Sequence, residues 1–351
     1  MTYVFRSKET DPYRRGVEFG THHSEKVRAT VWKYAQMFEE FANAPVNLEE
    51  YGGSALESIQ DYAPELASEI EGIAKGAGLS PHEVAAINAR TEILACIGAQ
   101  TRGECSAVIL LPPGDAVPLA MQTWDWYYAL ADSWLVWEIP HADGSETRVM
   151  TEYGIVGKSG INSHGVGLLF TILHHSDDGE GIGVPVHVAA RAALDRGVDI
   201  NVAARNLAQA KVSASSSINL VSYEAGVSAA LSVELHPGGP SFVSPDQTGL
   251  LVHTNHFLSP EPSKYDTEPH AFPDTIIRRD LLIRRCRQTD VTSIPDLVSV
   301  MSSHLGSTAA VCCHHDVAKS STPQYETLAT VMLNFVDKSL RVHAGGPCSI
   351  S

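Results

Sequence analysis

Cys105 is the residue of this chain best placed for covalent chemistry. It lies in Thr101-Arg102-Gly103-Glu104-Cys105-Ser106-Ala107-Val108-Ile109-Leu110-Leu111-Pro112, where a polar turn runs into an aliphatic, β-branched stretch. That pattern puts the thiol at the mouth of a predicted strand, held by rigid backbone. A thiol is intrinsically nucleophilic but mostly protonated at neutral pH, so it needs a base or a lowered pKa. Two solutions are open. One is a Cys–His pair, for which the sixteen histidines offer many partners. The other is the α-amino group of Cys105 itself, exposed if the bond from Glu104 to Cys105 is cut. A terminal amine has a reference pKa of about 7.7–8.0, close to working pH, as a general base requires. An ordinary free cysteine at a strand start is the plain alternative.

Two further segments carry groups that would assist such a thiol. Thr123-Trp124-Asp125-Trp126 sets a carboxylate among aromatic rings, where Asp125 would orient an amine or a thiol or else serve as a turn residue. In His253-Thr254-Asn255-His256-Phe257 the Asn255 amide ends a predicted strand and would donate to the oxyanion of a tetrahedral intermediate, unless it is a turn former. The segment from Asp274 to Arg287 is rich in arginine; most of these read as a solvated helix face, with room for one to turn inward.

Metal chemistry is not expected. The visible histidine clusters are His174-His175, His253 with His256, and His314-His315. Adjacent side chains on a strand point to opposite faces and chelate poorly. Cys96, Cys105, Cys286, Cys312, Cys313 and Cys348 show no CxxC spacing, and no HExxH accompanies the histidines.

The elements that must position these groups change character at Cys105. Upstream the pattern is helical: His22 to Phe41, Pro64 to Ala77, and Pro81 to about Leu94 behind a Ser80…Glu83 capping box. Downstream, strands are predicted over Pro118–Trp126, Ser133–Ile139, Arg148–Tyr153 and Gly165–Leu173. Helices follow near Val186–Asp195 and Val202–Ala210, then strands at Ser217–Ser222, Val227–Glu234 and Leu250–Thr254. Helices over Asp274–Arg287 and Ile294–His304 precede two closing strands, Thr327–Asp337 and Ser339–His343. Alternating blocks of strands and helices predict sheets stacked between helical layers.

Bulk properties narrow the function class. The chain has 351 residues, 44% of them hydrophobic and 19% charged, with a formal net charge of -16. Such a charge repels nucleic acid and anionic membranes, so neither is an expected partner. Six cysteines in this length make no disulfide scaffold. The first residues lack the apolar core of a signal peptide, and no run is long enough to span a bilayer, which together predict a reduced, cytoplasmic protein.

Motifs spread along the chain resemble the acyl-CoA:6-aminopenicillanic acid acyltransferase (isopenicillin N acyltransferase) family, the C45-type self-processing N-terminal-nucleophile hydrolases. They are Glu69-Ile70-Glu71-Gly72-Ile73-Ala74-Lys75-Gly76-Ala77-Gly78-Leu79, Asn88-Ala89-Arg90-Thr91-Glu92 and Gly103-Glu104-Cys105-Ser106. Further along come Trp124-Asp125, Gly157-Lys158-Ser159-Gly160-Ile161-Asn162-Ser163-His164-Gly165, and His253 to Phe257. Asp274-Thr275-Ile276-Ile277-Arg278, Thr327-Leu328-Ala329-Thr330 and Gly345-Gly346-Pro347-Cys348 complete the set. Thr123 stands where family members often carry Asn, and the run Leu168 to Leu173 lacks the asparagines of relatives.

The resemblance implies an α+β fold, a four-layer αββα sandwich with a mostly helical N-terminal segment. It implies self-cleavage between Glu104 and Cys105, leaving residues 1–104 and 105–351 associated as one domain. In the family's roles Cys105 is the nucleophile, its α-amine the base, Asp125 the orienting group, Asn255 an oxyanion donor and Arg278 an electrostatic support. Trp124, Thr171 and His256 are candidate substrate contacts. The expected reaction acts on an N-acyl amide through a thioester on Cys105, with transfer to water or an amine. No cofactor is expected beyond an acyl-CoA or other acyl donor as co-substrate. The partners are then a small molecule, the chain's own cleaved fragment and, in an oligomer, further copies of itself. The competing readings are an uncut, non-enzymatic ligand binder of the same fold and a histidine-based metal hydrolase.

Overall fold

A computed structural model describes residues 2–99, 101, 105–114, 116–315 and 324–350. The N-terminal third is helical apart from a short first strand, β1 (Val4–Arg6). It contains α1 (Pro12–His22), α2 (Ser24–Ala42), α3 (Leu48–Tyr62), α4 (Pro64–Ala77), α5 (Pro81–Asn88) and α6 (Arg90–Cys96). Ser80 caps α5 in the expected capping box, its hydroxyl accepting from Glu83 N while the Glu83 carboxylate accepts from Ser80 N.

The single helix expected from Pro81 to Leu94 is instead two, broken at Ala89. Asn88 explains the break. Its amide donates back to the Val84 carbonyl (2.9 Å) and to Gly154 O (2.8 Å), and accepts from Val156 N (2.9 Å). Such side-chain bonding competes with the helical ladder.

Helices α1 and α3 were not predicted, because glycines dilute their apolar pattern. Gly16 and Gly20 on α1 face Gly72 and Gly76 on α4; a Cβ at Gly16 would lie 2.1 Å from Glu69 O, and one at Gly72 2.2 Å from Tyr13 O. Close backbone approach, not local propensity, places the glycines here.

Two sheets follow. The strands are β2 (Ser106–Leu110), β3 (Leu119–Tyr127), β4 (Trp134–Pro140), β5 (Glu146–Glu152), β6 (Ser159–Asn162) and β7 (Val166–Ile172). After α7 (Val186–Arg196) and α8 (Ile200–Ala208) come β8 (Ser216–Glu224), β9 (Val227–His236), β10 (Gly239–Val243) and β11 (Leu250–His253). Then α9 (Glu268–Ala271), α10 (Asp274–Gln288) and α11 (Ile294–Met301) precede β12 (Tyr325–Asn334) and β13 (Ser339–Ala344). The larger sheet has the order β1-β4-β5-β6-β7-β8-β9-β10, the smaller β11-β2-β3-β12-β13.

The sheets face each other through β2 and β3 against β7, and β12 and β13 against β5 and β6. Gln122 on β3 joins them, its side-chain oxygen accepting from Phe170 N and from Ser159 Oγ (2.9 Å each). Gly167 lets the layers meet, since a Cβ there would come within 2.7 Å of Leu333. Helices α7 and α8 cover the larger sheet, and α10 and α11 the smaller, where Leu282, Leu297, Val300 and Met301 pack on Val108, Met121 and Val252. This is the four-layer αββα sandwich. No helix among the described residues is long and apolar enough to cross a membrane.

Candidate active site

Strand pairing in the small sheet gathers three of the expected residues at one end. Cys105 directly precedes β2, and Ser106 is paired with Thr123 of β3, so the thiol lies beside Trp124 and Asp125. On the other side of β2, His253 pairs with Ala107, so the chain leaving β11 carries Asn255 to the same end. Strand β12 flanks β3 with Thr327 opposite Asp125, and the register shifts between Thr327 and Ala329. Irregularities of this kind re-aim side chains and recur beside active sites.

Arg278 reaches in from α10 and ties the group together. Its guanidinium donates to Cys105 O (2.9 Å), Ser106 Oγ (3.1 Å) and Asn255 Oδ1 (3.1 Å), with Nε on Asp274 (3.2 Å). A planar fork with five N–H donors suits this divergent set, and an ammonium group does not. Asn255 in turn donates through Nδ2 to Ile172 O (2.8 Å), and its backbone N–H is held by Thr275 Oγ1 (2.9 Å). The amide is therefore fixed at both ends, between the sheets and α10.

Cys105 is buried and its thiol is pushed up to about 11, first by burial and next by the Asp125 carboxylate. A backbone hydrogen bond from Asp125 and the charges of Lys158 and Arg278 act in the opposite direction. Asp125 is itself fully buried. Held this way, the sulfur is a protonated thiol at neutral pH.

Beneath the site lies a buried charged cluster to which the sequence reading gave no role. Arg90, at the start of α6, pairs with Glu152 (3.4 Å) and lies 4.4 Å from the centre of the Trp126 ring. Lys158 pairs with Glu152 (2.7 Å) and stands 4.0 Å over the Trp124 ring. Tyr34 donates its hydroxyl to Glu152 and accepts from Trp126 Nε1 (3.1 Å). Burial, then the neighbouring Arg90 charge, lowers Lys158 to about 7, against the pull of Glu152 and Cys105. Burial works against ionisation of Glu152, but Lys158 and Arg90 outweigh it and hold that carboxyl below its ordinary value. Both cations lie within the electrostatic field of the Cys105 sulfur. The available sequence signal was their position in Asn88–Glu92 and Gly157–Gly165, two segments that carry the family resemblance.

The remaining expected contacts are placed as follows. Trp124 is beneath Lys158, as above. Thr171, on β7, sits next to Ile172 and within 3.4 Å of His253 Nδ1. His256 packs its Nδ1 against Thr275 Oγ1 (2.9 Å) and Thr254 Oγ1 (3.1 Å), and burial lowers it to about 3, so it is a neutral brace for the Asn255 loop. Glu104, on the other side of the expected cleavage point, lies outside the described residues.

Two of the histidine clusters are tied to carboxylates. His174 pairs with Glu268 (2.7 Å) and His253 with Glu234 (2.9 Å). The third is different. His314 meets His304, Cys312 and Cys348, all four ligand atoms lying within 4.8 Å of one another. The expectation of no metal ligands rested on local spacing, whereas the fold brings these four together from three separate segments.

Comparison with known proteins gives a curated relative, the 40 kDa form of the acyl-coenzyme A:6-aminopenicillanic-acid-acyltransferase of Emericella nidulans. It is 31% identical over 216 residues, which cover 60% of this chain and 57% of the relative. The chain thus spans less than two thirds of that relative's length. Among solved structures, the Caenorhabditis elegans ortholog of N-acylethanolamine-hydrolyzing acid amidase overlaps at 11% identity and a TM-score of 0.46, over 68% of this chain and all of the other. Penicillin V acylase from Agrobacterium tumefaciens overlaps at 13% identity and a TM-score of 0.48, over 68% of this chain and 83% of that one. A family model described as acyl-coenzyme A:6-aminopenicillanic acid acyl-transferase matches residues 114–348, a stretch that begins downstream of Cys105 and contains Asp125, Asn255 and Arg278. With most of its length inside that match, the chain belongs to the acyl-coenzyme A:6-aminopenicillanic acid acyltransferase family.

Proposed function

We propose that this protein is a self-processing cysteine amidohydrolase or acyltransferase that acts on the C–N bond of a small N-acyl compound through a thioester on Cys105. The observation that carries the reading is Arg278 bridging the Cys105 carbonyl and the Asn255 amide at one end of the small sheet.

Maturation comes first. The Cys105 sulfur attacks the Glu104 carbonyl carbon, the thiol proton passes to the departing Cys105 nitrogen, and the Glu104–Cys105 amide becomes a thioester. Water then hydrolyses that thioester, leaving a Glu104 carboxylate and a Cys105 with a free amine and a thiol. The buried thiol, pushed up to about 11, makes this single attack without the amine, helped by its proximity to the neighbouring carbonyl; every later turnover has the new terminal amine as base. Residues 1–104 stay packed on 105–351 as one domain.

In the mature site the amine takes the thiol proton and the sulfur attacks the substrate carbonyl. Asn255 Nδ2, already aligned by its bond to Ile172 O, directs its second N–H at the oxyanion. The amine proton goes to the leaving nitrogen, the C–N bond breaks, and an acyl-thioester remains on Cys105. Water or an acceptor amine then attacks it, passing through a second oxyanion at the same donor. Asp125 fixes the terminal ammonium; Arg278 holds the Cys105 carbonyl; Lys158 and Arg90 favour the thiolate. Trp124 and Thr171 would face the acyl group. No bound cofactor enters this cycle, and an acyl-CoA or other acyl thioester would serve as acyl donor. The low cysteine density suits a reducing cytoplasm.

The test is mass spectrometry of the purified protein after incubation with N-acyl amino acids, β-lactams and acyl thioesters. An acyl adduct on a terminal Cys105 is expected and would name the substrate class. Absence of any adduct, with Cys105 inert to iodoacetamide, would favour the uncut ligand binder instead.

A further inference from the structure

We propose that His304, Cys312, His314 and Cys348 form a structural zinc(II) site that clamps the C-terminal turn onto the small sheet. Four donors of the zinc-compatible Cys2His2 type converge on one point. His314 Nε2 lies 3.2 Å from His304 Nε2, 3.5 Å from Cys312 Sγ and 3.4 Å from Cys348 Sγ. A tetrahedral zinc with bonds of about 2.3 Å to sulfur and about 2.0–2.1 Å to nitrogen requires edges of about 3.6 Å for S···N and about 3.4 Å for N···N. The three spacings from His314 fall within about 0.2 Å of those edges, and all four donor atoms lie within 4.8 Å of one another, so small side-chain rotations close the remaining edges around an ion. Hydrogen bonding does not account for them: one imidazole nitrogen has a single in-plane direction, and here it faces three other donors.

The surroundings build the site rather than merely permit it. Cys312 is buried, its N–H donating to Ser303 O (3.0 Å), and the next residue is locked to β12 by Cys313 N to Thr327 Oγ1 (2.9 Å) and Thr327 N to Cys313 O (3.0 Å). Cys348 rides in the turn Pro347–Ser349, held by Ser349 Oγ to His343 (2.8 Å) and to Gly346 O (2.8 Å). Gly346 makes room for the sulfur, since a Cβ there would lie 2.5 Å from Cys312 Sγ. Two thiolates and two imidazoles select zinc over magnesium or calcium, which take oxygen ligands. Four protein ligands close the coordination sphere, which marks a structural rather than a catalytic metal. What it would steady is β12, whose Thr327 pairs with Asp125.

The experiment titrates reduced, chelator-treated full-length protein with cobalt(II), then zinc(II). Expected are one cobalt per chain, the intense visible bands of tetrahedral cobalt, and a thiolate-to-cobalt charge-transfer band, all abolished when zinc displaces it. Cys348→Ser and His304→Ala, both at exposed positions, should each weaken binding by more than about tenfold, while Cys286→Ser should not. Zinc should also protect Cys348 from alkylation. A pale octahedral spectrum without charge transfer, or affinity unchanged in Cys348→Ser, would overturn the proposal. The wild-type spectrum decides even if a variant misfolds.

Discussion

Replacing Arg278 with lysine tests whether its guanidinium, and not merely its charge, assembles the site. Lysine keeps the positive charge but offers one nitrogen where arginine serves Cys105 O, Ser106 Oγ, Asn255 Oδ1 and Asp274. At best two of those acceptors keep a partner. Hydrogen bonds to charged groups contribute about 1.5–3 kcal/mol each, so losing two costs about 3–6 kcal/mol. A domain is stable by about 5–15 kcal/mol, so the variant should fold but stand well below its parent. The assay is urea unfolding in a Cys105→Ala background, in which the proposed self-cleavage has no nucleophile. In the otherwise wild-type chain the loosened Asn255 amide should slow turnover about a hundredfold, the scale of losing an aligned oxyanion donor. A stability loss below about 1 kcal/mol, with turnover unchanged, would refute the bridging role.

Three further outcomes follow from the buried charges. Arg90→Met removes a permanently charged buried cation whose field favours the Cys105 thiolate, so the pH profile for alkylation of Cys105 should move to higher pH; an unmoved profile would exclude the interaction. Glu69→Gln strips charge from a buried carboxylate that holds Arg15 and Arg191, and should cost about 3–5 kcal/mol in urea unfolding. Burial pushes the Glu234 carboxyl up, but His253 and the Leu258 and Ser259 groups outweigh it and hold it down to about 2, against 4.5 ordinarily. Its stabilisation is therefore complete above pH 4.5 and lost as pH falls through about 2. Stability in Glu234→Gln should fall less steeply over that window than in the wild type.

That Cys105, Asp125 and Asn255 share one end of the small sheet was legible because each sits at or beside a strand end. The aliphatic run after Cys105 and the one before Asn255 each mark a strand by composition, and neighbouring strands bring their ends together. What stayed hidden depends on contacts between distant segments. Arg90, Glu152 and Lys158 look like surface charges in a linear reading, and only the fold brings both cations onto the one buried Glu152 carboxylate. Helix α1 is disguised by glycines whose purpose is visible only against α4. The Cys312-x-His314 pair lacks a recognisable spacing until His304 and Cys348 arrive from elsewhere in the fold.

The central claim is that the amide between Glu104 and Cys105 breaks through the sulfur of Cys105. Intact-mass analysis under denaturing conditions measures this most directly, with wild-type protein beside Cys105→Ala. The expected result is two fragments divided before Cys105 in the wild type and one uncut chain in the variant. An active wild type that remains a single chain, or a Cys105→Ala variant that is still cut there, would contradict it.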